Sequence, residues 1–525
     1  MLRVSNGPKY MLVKIKSAAN RGLETLGIDV EVNVASRGLP GFEIVGLPGK
    51  EVQESRERVR TAIVSSKIEF PNKKITVNLA PADLPKDGSF YDLPIAAGLI
   101  IGELGLEIPE KSLFFGELSL DGSLRHTRSA LLIALFAKEA GLKRIFLPKD
   151  SANEAAIIKG VEILPVENLL QLSKHLAGQK IIEPARAMRE AGPPSSSRPC
   201  EAEFDMREIL GQEQAKRAME IAAAGSHNII MVGSPGAGKT MLARALPGIL
   251  PELSEEESLE VTKIYSAAGS IQPGGSLLKI PPFRSPHHTA SPVGLIGGGA
   301  KPMPGEISLA HRGVLFLDEF NEFPRSVLEA MRQPLEDGYL TIARSRERVR
   351  YPSRFMLLAS ANPCPCGYLN HPKKSCICSM RQIKKYQKRV SGPILDRIDL
   401  HIQVMPVDTA EFLDNQKNSE FLEPSEKIKQ RVVLARQMQE TRFADEKIYS
   451  NSQMKNSHIK KYCKLQKDVE EILRQASLKF QLSARSYMKM IKVARTIADL
   501  DNADEITIAH MAEALQYKPK NYESA

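Results

Sequence analysis

A glycine-rich loop between two predicted regular elements has the residue types that bind nucleotide phosphates. The apolar residues 229–232 precede this loop, and MLARAL at 241–246 has the composition of a helix. Glycines let backbone N–H groups turn toward phosphates, a lysine places positive charge between them, and a threonine hydroxyl can bind Mg²⁺. We therefore predict an ATP and Mg²⁺ site, rather than a purely structural turn, formed by Gly233, Ser234, Pro235, Gly236, Ala237, Gly238, Lys239 and Thr240.

Two acidic residues end a second apolar segment, VLFL at residues 314–317. Carboxylates at the end of a buried strand are costly unless a cation lies near them. Asp318 is predicted to hold Mg²⁺ together with Thr240, and Glu319 to orient and deprotonate the attacking water. The second acid therefore indicates hydrolysis rather than binding alone, the alternative being a solvated turn.

Three further polar residues have the chemistry that a γ-phosphate requires. Asn362 follows the apolar segment 356–361, where its amide can hydrogen-bond the water or the phosphate, although asparagine is also a common turn residue there. Arg397 and Arg485 offer planar, permanently charged guanidinium groups to the charge that develops on the phosphate. For each arginine the alternative is an ion pair at the surface with a neighbouring acid.

Four of the six cysteines lie close together in the loop 364–378. Tetrahedral Zn²⁺ takes four thiolate ligands, and a polar loop of this kind has little apolar core to hold it together otherwise. The one-residue gap within each pair departs from the common two-residue spacing, so free thiols or a poorly filled site stay open, and His371 could replace one ligand. We predict a structural zinc site from Cys364, Cys366, Cys376 and Cys378, and no role for Cys200 and Cys463.

The net charge of +10 is concentrated in one stretch of the chain. Residues 341–392 contain twelve basic residues and one acid, which gives this stretch +11 and the rest of the chain −1. Within it, residues 339–352 alternate in the manner of a β-hairpin with basic side chains at its tip. Such a patch suits a phosphate backbone, although a solvated face, an edge hairpin protected by charge or an acidic protein partner would also explain it. The predicted DNA contacts are Arg344, Arg346, Arg348, Arg350, Lys384 and Lys385.

The 525-residue chain has the composition of an ordinary globular protein, with 42% hydrophobic and 26% charged residues. No run of 18 apolar residues is present, which excludes a membrane-spanning helix, and the N-terminus has no secretory signal pattern. Sparse cysteines that cluster indicate metal binding in a reducing compartment. We therefore expect a cytoplasmic protein without a membrane partner.

The elements that must position these residues indicate an α/β fold class and several domains. Before the glycine-rich loop, the sequence mixes strands, such as 74–79, with helices, such as 129–140. After the basic stretch it becomes helical, with one helix beginning at Ser425 and another after Ser483. The predicted segments are an N-terminal domain at 1–182, a Pro- and Ser-rich linker at 183–203, an ATPase core at 204–410 and a helical domain at 411–525.

In their order along the chain, GSPGAGKT, VLFLDE, SANP, LDRID and LSAR resemble the motifs of AAA+ ATPases. The stretches FRSPHHTASPVGLIGGG and SGPILDRIDLHI resemble the magnesium-chelatase branch, and nearly the whole chain is similar to the ComM (YifB-type) ATPases of bacteria. This resemblance implies an AAA+ P-loop core with a helical lid, in a homo-hexameric ring with nucleotide between subunits. It also implies that Arg397 acts on the neighbour's ATP, whereas Arg485 could act in its own subunit or the next.

The same resemblance implies two insertions in the core and a function in DNA processing. One insertion lies within 265–300 and faces the central pore in related ring motors; the other is the basic hairpin. His287 and His288, in the first insertion, are interpreted as a packed or hydrogen-bonded pair rather than metal ligands. The expected function is an ATP-dependent DNA motor, a branch-migration helicase that promotes DNA integration during recombination and natural transformation. The alternatives are a magnesium-chelatase-like metal-insertion subunit and an AAA+ protease or remodelling chaperone.

The N-terminal segment is similar to the Lon-protease-like domain, an α+β fold shared with ribosomal protein S5. A protease of that type needs a serine nucleophile and a lysine base. The corresponding positions hold Asp92 and Leu131, and the nearby Ser89 has no suitable lysine partner. We therefore predict that this domain does not cleave peptides and expect it to assemble the ring or to grip DNA.

Overall fold

Two compact units make up the chain. The computed structural model describes residues 11–35, 39–185, 202–271, 277–299, 302–343, 348–406 and 422–518. The first unit, called the N-terminal unit, comprises Met1–Ser197 and Leu259–Leu277. The second, called the core unit, comprises Arg198–Ser258 and Leu278–Ala525. Residues 259–271, which the sequence prediction gave to the ATPase core, therefore pack with the N-terminal unit, and most of the predicted linker lies outside the described residues.

The regular elements are numbered in chain order. The strands of the N-terminal unit are β1 (Met11–Arg21), β2 (Glu24–Val34), β3 (Gly41–Val45), β4 (Lys74–Ala80), β5 (Ser112–Phe114), β6 (Glu117–Leu118), β7 (Leu124–Arg125), β8 (Arg144–Pro148) and β9 (Glu162–Val166). The strands of the core unit are β10 (Ile229–Gly233), β11 (Phe283–Arg284), β12 (Gly297–Gly298), β13 (Met303–Pro304), β14 (Val314–Leu317), β15 (Tyr339–Ala343), β16 (Arg348–Pro352), β17 (Met356–Ala361) and β18 (Leu400–Val404).

The helices follow the same numbering. The first five are α1 (Lys50–Ser65), α2 (Asp92–Leu104), α3 (Ala130–Glu139), α4 (Lys149–Ala155) and α5 (Leu169–Leu176). The next nine are α6 (Glu213–Gly225), α7 (Lys239–Ala245), α8 (Glu255–Ala268), α9 (Pro292–Ile296), α10 (Glu306–Leu309), α11 (Arg325–Ala330), α12 (Arg332–Asp337), α13 (Met380–Gln387) and α14 (Gly392–Leu395). The last five are α15 (Ser425–Arg442), α16 (Asn456–Tyr462), α17 (Lys467–Phe480), α18 (Ala484–Leu500) and α19 (Ile508–Gln516). Among the described residues, none of these helices combines the length and the apolarity that crossing a bilayer requires.

Alternating side chains build the larger sheet of the N-terminal unit, whose strand order is β1-β2-β4-β3. In β4 the side chains of Ile75, Val77 and Leu79 are fully buried, while those between them are partly exposed. Such alternation is what one covered sheet face requires. The predicted strand at 74–79 is thus confirmed with one extra residue. The predicted helix at 129–140 is confirmed as α3, one residue shorter at each end.

A five-stranded parallel sheet with the order β11-β14-β17-β10-β18 forms the centre of the core unit. All four residues of β14 and all six of β17 are buried, as expected for parallel strands covered on both faces. Since the strands are parallel, their carboxyl ends lie along one edge. The residues that follow β10, β14 and β17 therefore meet there, which is where ligands bind in open α/β sheets.

The described C-terminal residues 422–518 are mainly helical. Helix α15 begins at Ser425, as predicted, and α18 begins after Ser483, whose side chain accepts a hydrogen bond from the backbone N–H of Ser486. A serine in this position satisfies one of the N–H groups that a helix start leaves without a partner. Most of α18 is buried, and its apolar residues join the same hydrophobic core as β10 and α6.

Candidate nucleotide-binding and hydrolysis site

The strand, loop and helix predicted around the glycine-rich loop are all present. Strand β10 ends at Gly233, and α7 begins at Lys239. Gly236 and Gly238 have φ values of +79° and +89°, in the left-handed region that favours glycine. A Cβ at either position would meet no atom within 4 Å, so the backbone conformation, and not lack of space, requires glycine. The loop is therefore open on the side that these glycines present.

Lys239 joins the loop to the end of the neighbouring strand β17. Its Nζ donates to the carbonyls of Gly233 at 2.6 Å and Ser234 at 2.9 Å, and to Oδ1 of Asn362 at 3.1 Å. Burial lowers the pKa of Lys239, while the charges of Asp318 and Glu319 oppose that shift. Two residues that sequence reasoning chose separately, Lys239 and Asn362, thus lie in hydrogen-bond contact.

The two predicted Mg²⁺ ligands also lie together. The Thr240 hydroxyl donates to Oδ2 of Asp318 at 3.0 Å, and the Ser360 hydroxyl donates to the other oxygen of the same carboxylate. Because Asp318 directly follows β14 and Thr240 is the second residue of α7, the parallel sheet brings them together across 78 residues of sequence. A hydroxyl and a carboxylate in contact form a donor set that Mg²⁺ accepts, with its remaining positions left for water and phosphate oxygens.

Glu319 has a constrained backbone and a partner that the sequence did not reveal. Its φ of 52° is unusual for a residue with a side chain and costs about 1–3 kcal/mol, a strain that is common in functional sites. Nδ1 of His288 lies 3.2 Å from Oε2 of Glu319. His288 packs against His287, with ring centroids 4.1 Å apart, so the predicted packed pair is present. One member of the pair also contacts the proposed general base.

Arg397 and Arg485 meet at a single carboxylate. The Arg397 guanidinium donates to Oε2 of Glu336, and Nη1 of Arg485 lies 3.6 Å from Oε1 of the same residue. The hydrogen bond from Arg397 holds the pKa of Glu336 below its ordinary value. The Arg397 side chain is only 9% exposed, whereas Arg485 is 43% exposed. Glu336, on α12, is therefore a further residue of this cluster.

A buried polar network fixes the backbone that carries Arg397. The Asn228 amide donates to the Arg397 carbonyl at 2.8 Å, and Oδ2 of Asp399 lies 3.3 Å from Nδ1 of His227. Burial favours the neutral acid, but the hydrogen bond with His227 and the charge of Lys489 outweigh it and keep the pKa of Asp399 below its ordinary value. This network ties Arg397 to the residue before β10, the strand that leads into the phosphate loop.

The four cysteines form one cluster whose dimensions fit a tetrahedral metal. All four sulfurs lie within 4.8 Å of one another, and the three measured Sγ···Sγ distances among Cys364, Cys366 and Cys376 are 3.4, 3.6 and 3.7 Å. Zn–S bonds of about 2.3 Å in a tetrahedron place sulfurs about 3.8 Å apart. Cys378 supplies the fourth sulfur of this cluster, while Nδ1 of His371 accepts hydrogen bonds from the backbone N–H groups of Lys373 and Lys374.

The cysteine loop packs on the phosphate loop. A Cβ at Gly367, which follows Cys366, would lie 2.5 Å from Cδ of Pro235, so only glycine allows this approach. Cys364 comes two residues after Asn362, and the Gln387 side chain donates to the carbonyl of Pro363 between them. The position of the cysteine loop therefore bears directly on both the phosphate loop and Asn362.

The described part of the basic stretch has the predicted hairpin. Strands β15 and β16 pair antiparallel, and the Arg350 guanidinium lies 3.4 Å from the ring centroid of Tyr339. Arg348 and Arg350 point away from the buried side chains of the hairpin. Arg344 and Arg346 lie outside the described residues. Lys384 and Lys385 are exposed on α13.

Three family models match the chain in succession. The model described as magnesium chelatase, subunit ChlI, matches residues 205–412. The model described as subunit ChlI of Mg-chelatase matches residues 30–151, and the one described as the ChlI C-terminal part matches residues 422–518. The first match contains all the predicted nucleotide-site residues except Arg485, which lies in the third.

Curated relatives extend the match to nearly the full length. The protein named YifB from Escherichia coli K12 is 42% identical over 511 residues, which cover 96% of each chain. Competence protein ComM from Haemophilus influenzae is 39% identical over 510 residues, which cover 97% of each chain. The chain belongs to the ComM/YifB family of Mg-chelatase-like AAA+ proteins. By comparison, the magnesium-chelatase 38 kDa subunit of Rhodobacter capsulatus is 27% identical over 195 residues, 34% of this chain and 55% of that subunit.

In this ComM/YifB chain, sequence reasoning did not indicate two of the residues that contact the predicted site residues. His288 lies in a segment whose resemblance to the family was noted, but nothing in its spacing indicates that it contacts Glu319. Glu336 lies on a short helix among several charged residues of similar type. Each becomes recognisable only when the fold brings distant segments together.

Proposed function

We propose that this ComM/YifB chain hydrolyses ATP with Mg²⁺ as part of a homo-hexameric motor that moves DNA. The observation that supports this most is the convergence of Lys239, Thr240, Asp318 and Asn362 at the carboxyl edge of the parallel sheet. These residues follow three separate strands, β10, β14 and β17, and combine phosphate-binding, metal-binding and water-positioning chemistry.

Each residue has a distinct task in this proposal. The N–H groups of residues 233–240 and the Lys239 ammonium bind the β- and γ-phosphates. Thr240 and Asp318 hold Mg²⁺, which neutralises phosphate charge when bound. Glu319 accepts a proton from the attacking water, and the Asn362 amide orients that water or the γ-phosphate. His288, which contacts the Glu319 carboxylate, positions it before the nucleotide is in place.

In this proposal the two arginines act at an interface between subunits. Arg397 would reach the γ-phosphate bound to the neighbouring subunit and stabilise the charge that develops on it. Arg485, from α18, would contact ATP in its own subunit or the next. Their shared partner Glu336 occupies both guanidinium groups within a single chain. We infer that ring assembly transfers Arg397 from this carboxylate to phosphate.

DNA is the proposed polymer on which the motor acts. The charge of residues 341–392 and the basic hairpin support this proposal, as does the likeness to a relative whose printed name is competence protein ComM. Basic side chains at alternate positions of a strand contact a phosphate backbone without reading base sequence. Branch migration that promotes DNA integration in recombination and natural transformation is the specific activity that we propose.

Zinc is the metal that we propose for the cysteine cluster. Four sulfurs within tetrahedral range fit Zn²⁺, and backbone N–H groups, first that of Tyr368, lower the pKa of the Cys366 thiol to about 6. A metal there would fix the turn that places Gly367 against Pro235 and Cys364 near Asn362. Its role is structural: it holds the phosphate loop and Asn362 in register.

A structural role is proposed for the N-terminal domain at 1–182. Both carboxylate oxygens of Asp92 accept hydrogen bonds from Arg58, at 2.8 and 3.1 Å, and one accepts a further bond from the backbone of Leu118. Asp92 is fully buried, and a carboxylate held in this way has no freedom to act as a nucleophile. For the rest of the chain we propose a linker at 183–203, an ATPase core at 204–410 and a helical lid at 411–525.

Steady-state ATPase measurements with and without DNA test the proposal. We expect Mg²⁺-dependent hydrolysis that DNA stimulates, and loss of both basal and stimulated activity in Lys239→Ala. A metal-insertion subunit or a protein-remodelling ATPase would hydrolyse ATP without any response to DNA. That result in the wild type would retain the ATPase and remove DNA as the partner.

A further inference from the structure

A concave pocket of about 470 Å³ lies beside the turn that follows Glu319. Its lining contains four basic residues and one acid, together with three uncharged residues. The residues that line it are Asn321, Glu322, Phe323, Pro324, Arg325, Lys385, Lys388 and Arg389. The excess of three positive charges in a concave site attracts an anion of high charge density.

Helix α13 explains why the lysines face the pocket. Ile383 and Tyr386 are buried and anchor the helix to the core unit, so Lys385 and Lys388 project from its outer side. Ser379 caps the helix by accepting a hydrogen bond from the backbone of Gln382. Lys385 is therefore presented by a fixed helix, and Lys388 is the residue that caps the C-terminal end of that helix.

Arg389 forms an ion pair with an acid of the pocket lining. Nη1 of Arg389 lies 2.5 Å from Oε2 of Glu322 and also donates to the Asn321 carbonyl at 3.4 Å. Within the described ranges neither Lys385 nor Lys388 forms an ion pair. Two ammonium groups are thus available to an incoming anion, and a third cation can exchange its carboxylate for that anion.

The lining favours phosphate over a nucleobase. Its only aromatic ring belongs to Phe323, which is buried in the core and offers no open face for stacking. Lysine ammonium groups bind phosphate as point charges, and arginine can bind it with two hydrogen bonds. Recognition in this pocket would therefore be independent of base sequence.

We propose that this pocket binds a backbone phosphate of DNA, and that the phosphate displaces Glu322 from Arg389. This inference rests on the proposed function, because it takes DNA to be the polymer. Glu322 belongs to the short 3-10 helix Phe320–Glu322, which follows Glu319 directly. The side chain of Asn321 in the same turn donates to the Tyr386 carbonyl at 3.4 Å. Exchange of the ion pair therefore transmits DNA binding to the segment that positions Glu319.

The first experiment measures DNA binding by Lys385→Ala/Lys388→Ala. Its matched control is Lys464→Ala/Lys467→Ala, which removes the same charge from exposed lysines outside the pocket. Fluorescence anisotropy with a labelled single-stranded 30-mer is recorded at several salt concentrations. Two lost phosphate contacts reduce the salt slope by about 1.4 and weaken binding about tenfold at 0.2 M salt. Equal affinity and slope in the two double variants would overturn the proposal.

DNA binding by the wild type distinguishes failure of the pocket assignment from failure of the proposed function. If the wild-type protein does not bind or respond to DNA, the proposed function fails together with the pocket. If the wild type responds and the pocket variant matches its control, only the pocket assignment fails. Binding of tripolyphosphate to the same variants identifies the source of the phosphate. If Lys385→Ala/Lys388→Ala weakens the binding of tripolyphosphate but leaves the affinity for DNA unchanged, the pocket binds a free polyphosphate, and the assignment to a DNA backbone phosphate is overturned.

The second experiment tests the coupling through Glu322. Glu322→Gln releases Arg389, so we expect DNA affinity to rise a few-fold while the ratio of DNA-stimulated to basal ATPase activity falls toward one. Glu471→Gln is the control, because Glu471 also pairs with an arginine, Arg474, but lies on α17. A stimulation ratio in Glu322→Gln equal to that of this control would rule out the exchange.

Discussion

The contact of Glu336 with two arginines leads to a quantitative expectation for ring assembly. If Arg397 must leave Glu336 to reach the neighbour's phosphate, the ion pair opposes assembly by its own free energy. Glu336 is 51% exposed, so its pair with the largely buried Arg397 is worth about 1 kcal/mol rather than the larger value of a buried pair. Glu336→Gln removes the charge and nearly preserves the shape. About 1 kcal/mol corresponds to about a fivefold change in an equilibrium constant.

The assay is the protein concentration at the midpoint of ATP-dependent assembly, measured by mass photometry or sedimentation. We expect this midpoint to fall about fivefold in Glu336→Gln. Glu329→Gln is the matched control, because Glu329 lies on the preceding short helix α11, pairs with Arg332 and, among the described residues, forms no ion pair with Arg397 or Arg485. An unchanged or higher midpoint in Glu336→Gln would refute the idea that the pair competes with assembly. Glu336 would then hold Arg397 in its active position.

Two further predictions concern the neighbours of the site. Removal of metal with a chelator, or Cys376→Ser, is expected to raise the KM for ATP several-fold, because the turn that places Gly367 against Pro235 loses its support. Metal analysis of the purified protein and the KM for ATP check this, with Cys463→Ser as the control. A metal-free wild type with the same KM would contradict it. His288→Ala frees the Glu319 carboxylate, so we expect faster basal hydrolysis and weaker stimulation by DNA. His287→Ala is its control, and equal stimulation ratios in the two variants would show that His288 has no such role.

The residues of the nucleotide site could be predicted because their chemistry is encoded locally. A strand that runs into a glycine-rich loop and a strand that ends in two acids are continuous segments, and a parallel sheet brings their carboxyl ends to one edge. Asn362 follows a third strand of the same parallel sheet, and its side chain contacts Lys239 at that edge. The cysteines were equally local, since their spacing within one loop limits how far apart the sulfurs can lie.

The remaining contacts could not be predicted because they depend on how separate segments pack. Glu336 and Arg485 are far apart in sequence, and Glu336 has no neighbours that distinguish it from other charged surface residues. The packing of residues 259–271 with the N-terminal unit also depends on how separate segments meet. Helix α8 includes residues on both sides of the boundary between the two units, Ser258 and Leu259, without any break in its sequence. Composition and periodicity therefore give no signal of where this boundary lies.

The most direct test of the account is migration of a labelled three-strand or Holliday junction by the wild type and by Glu319→Gln. Glu319→Gln retains Lys239, Thr240 and Asp318, so it should bind ATP and assemble while hydrolysis is lost. The account predicts that the wild type moves the branch with ATP and Mg²⁺ and that the variant binds the junction without moving it. Branch movement by the variant at the wild-type rate, or its absence in an assembled, ATP-hydrolysing wild type, would contradict the claim that hydrolysis at this site drives DNA movement.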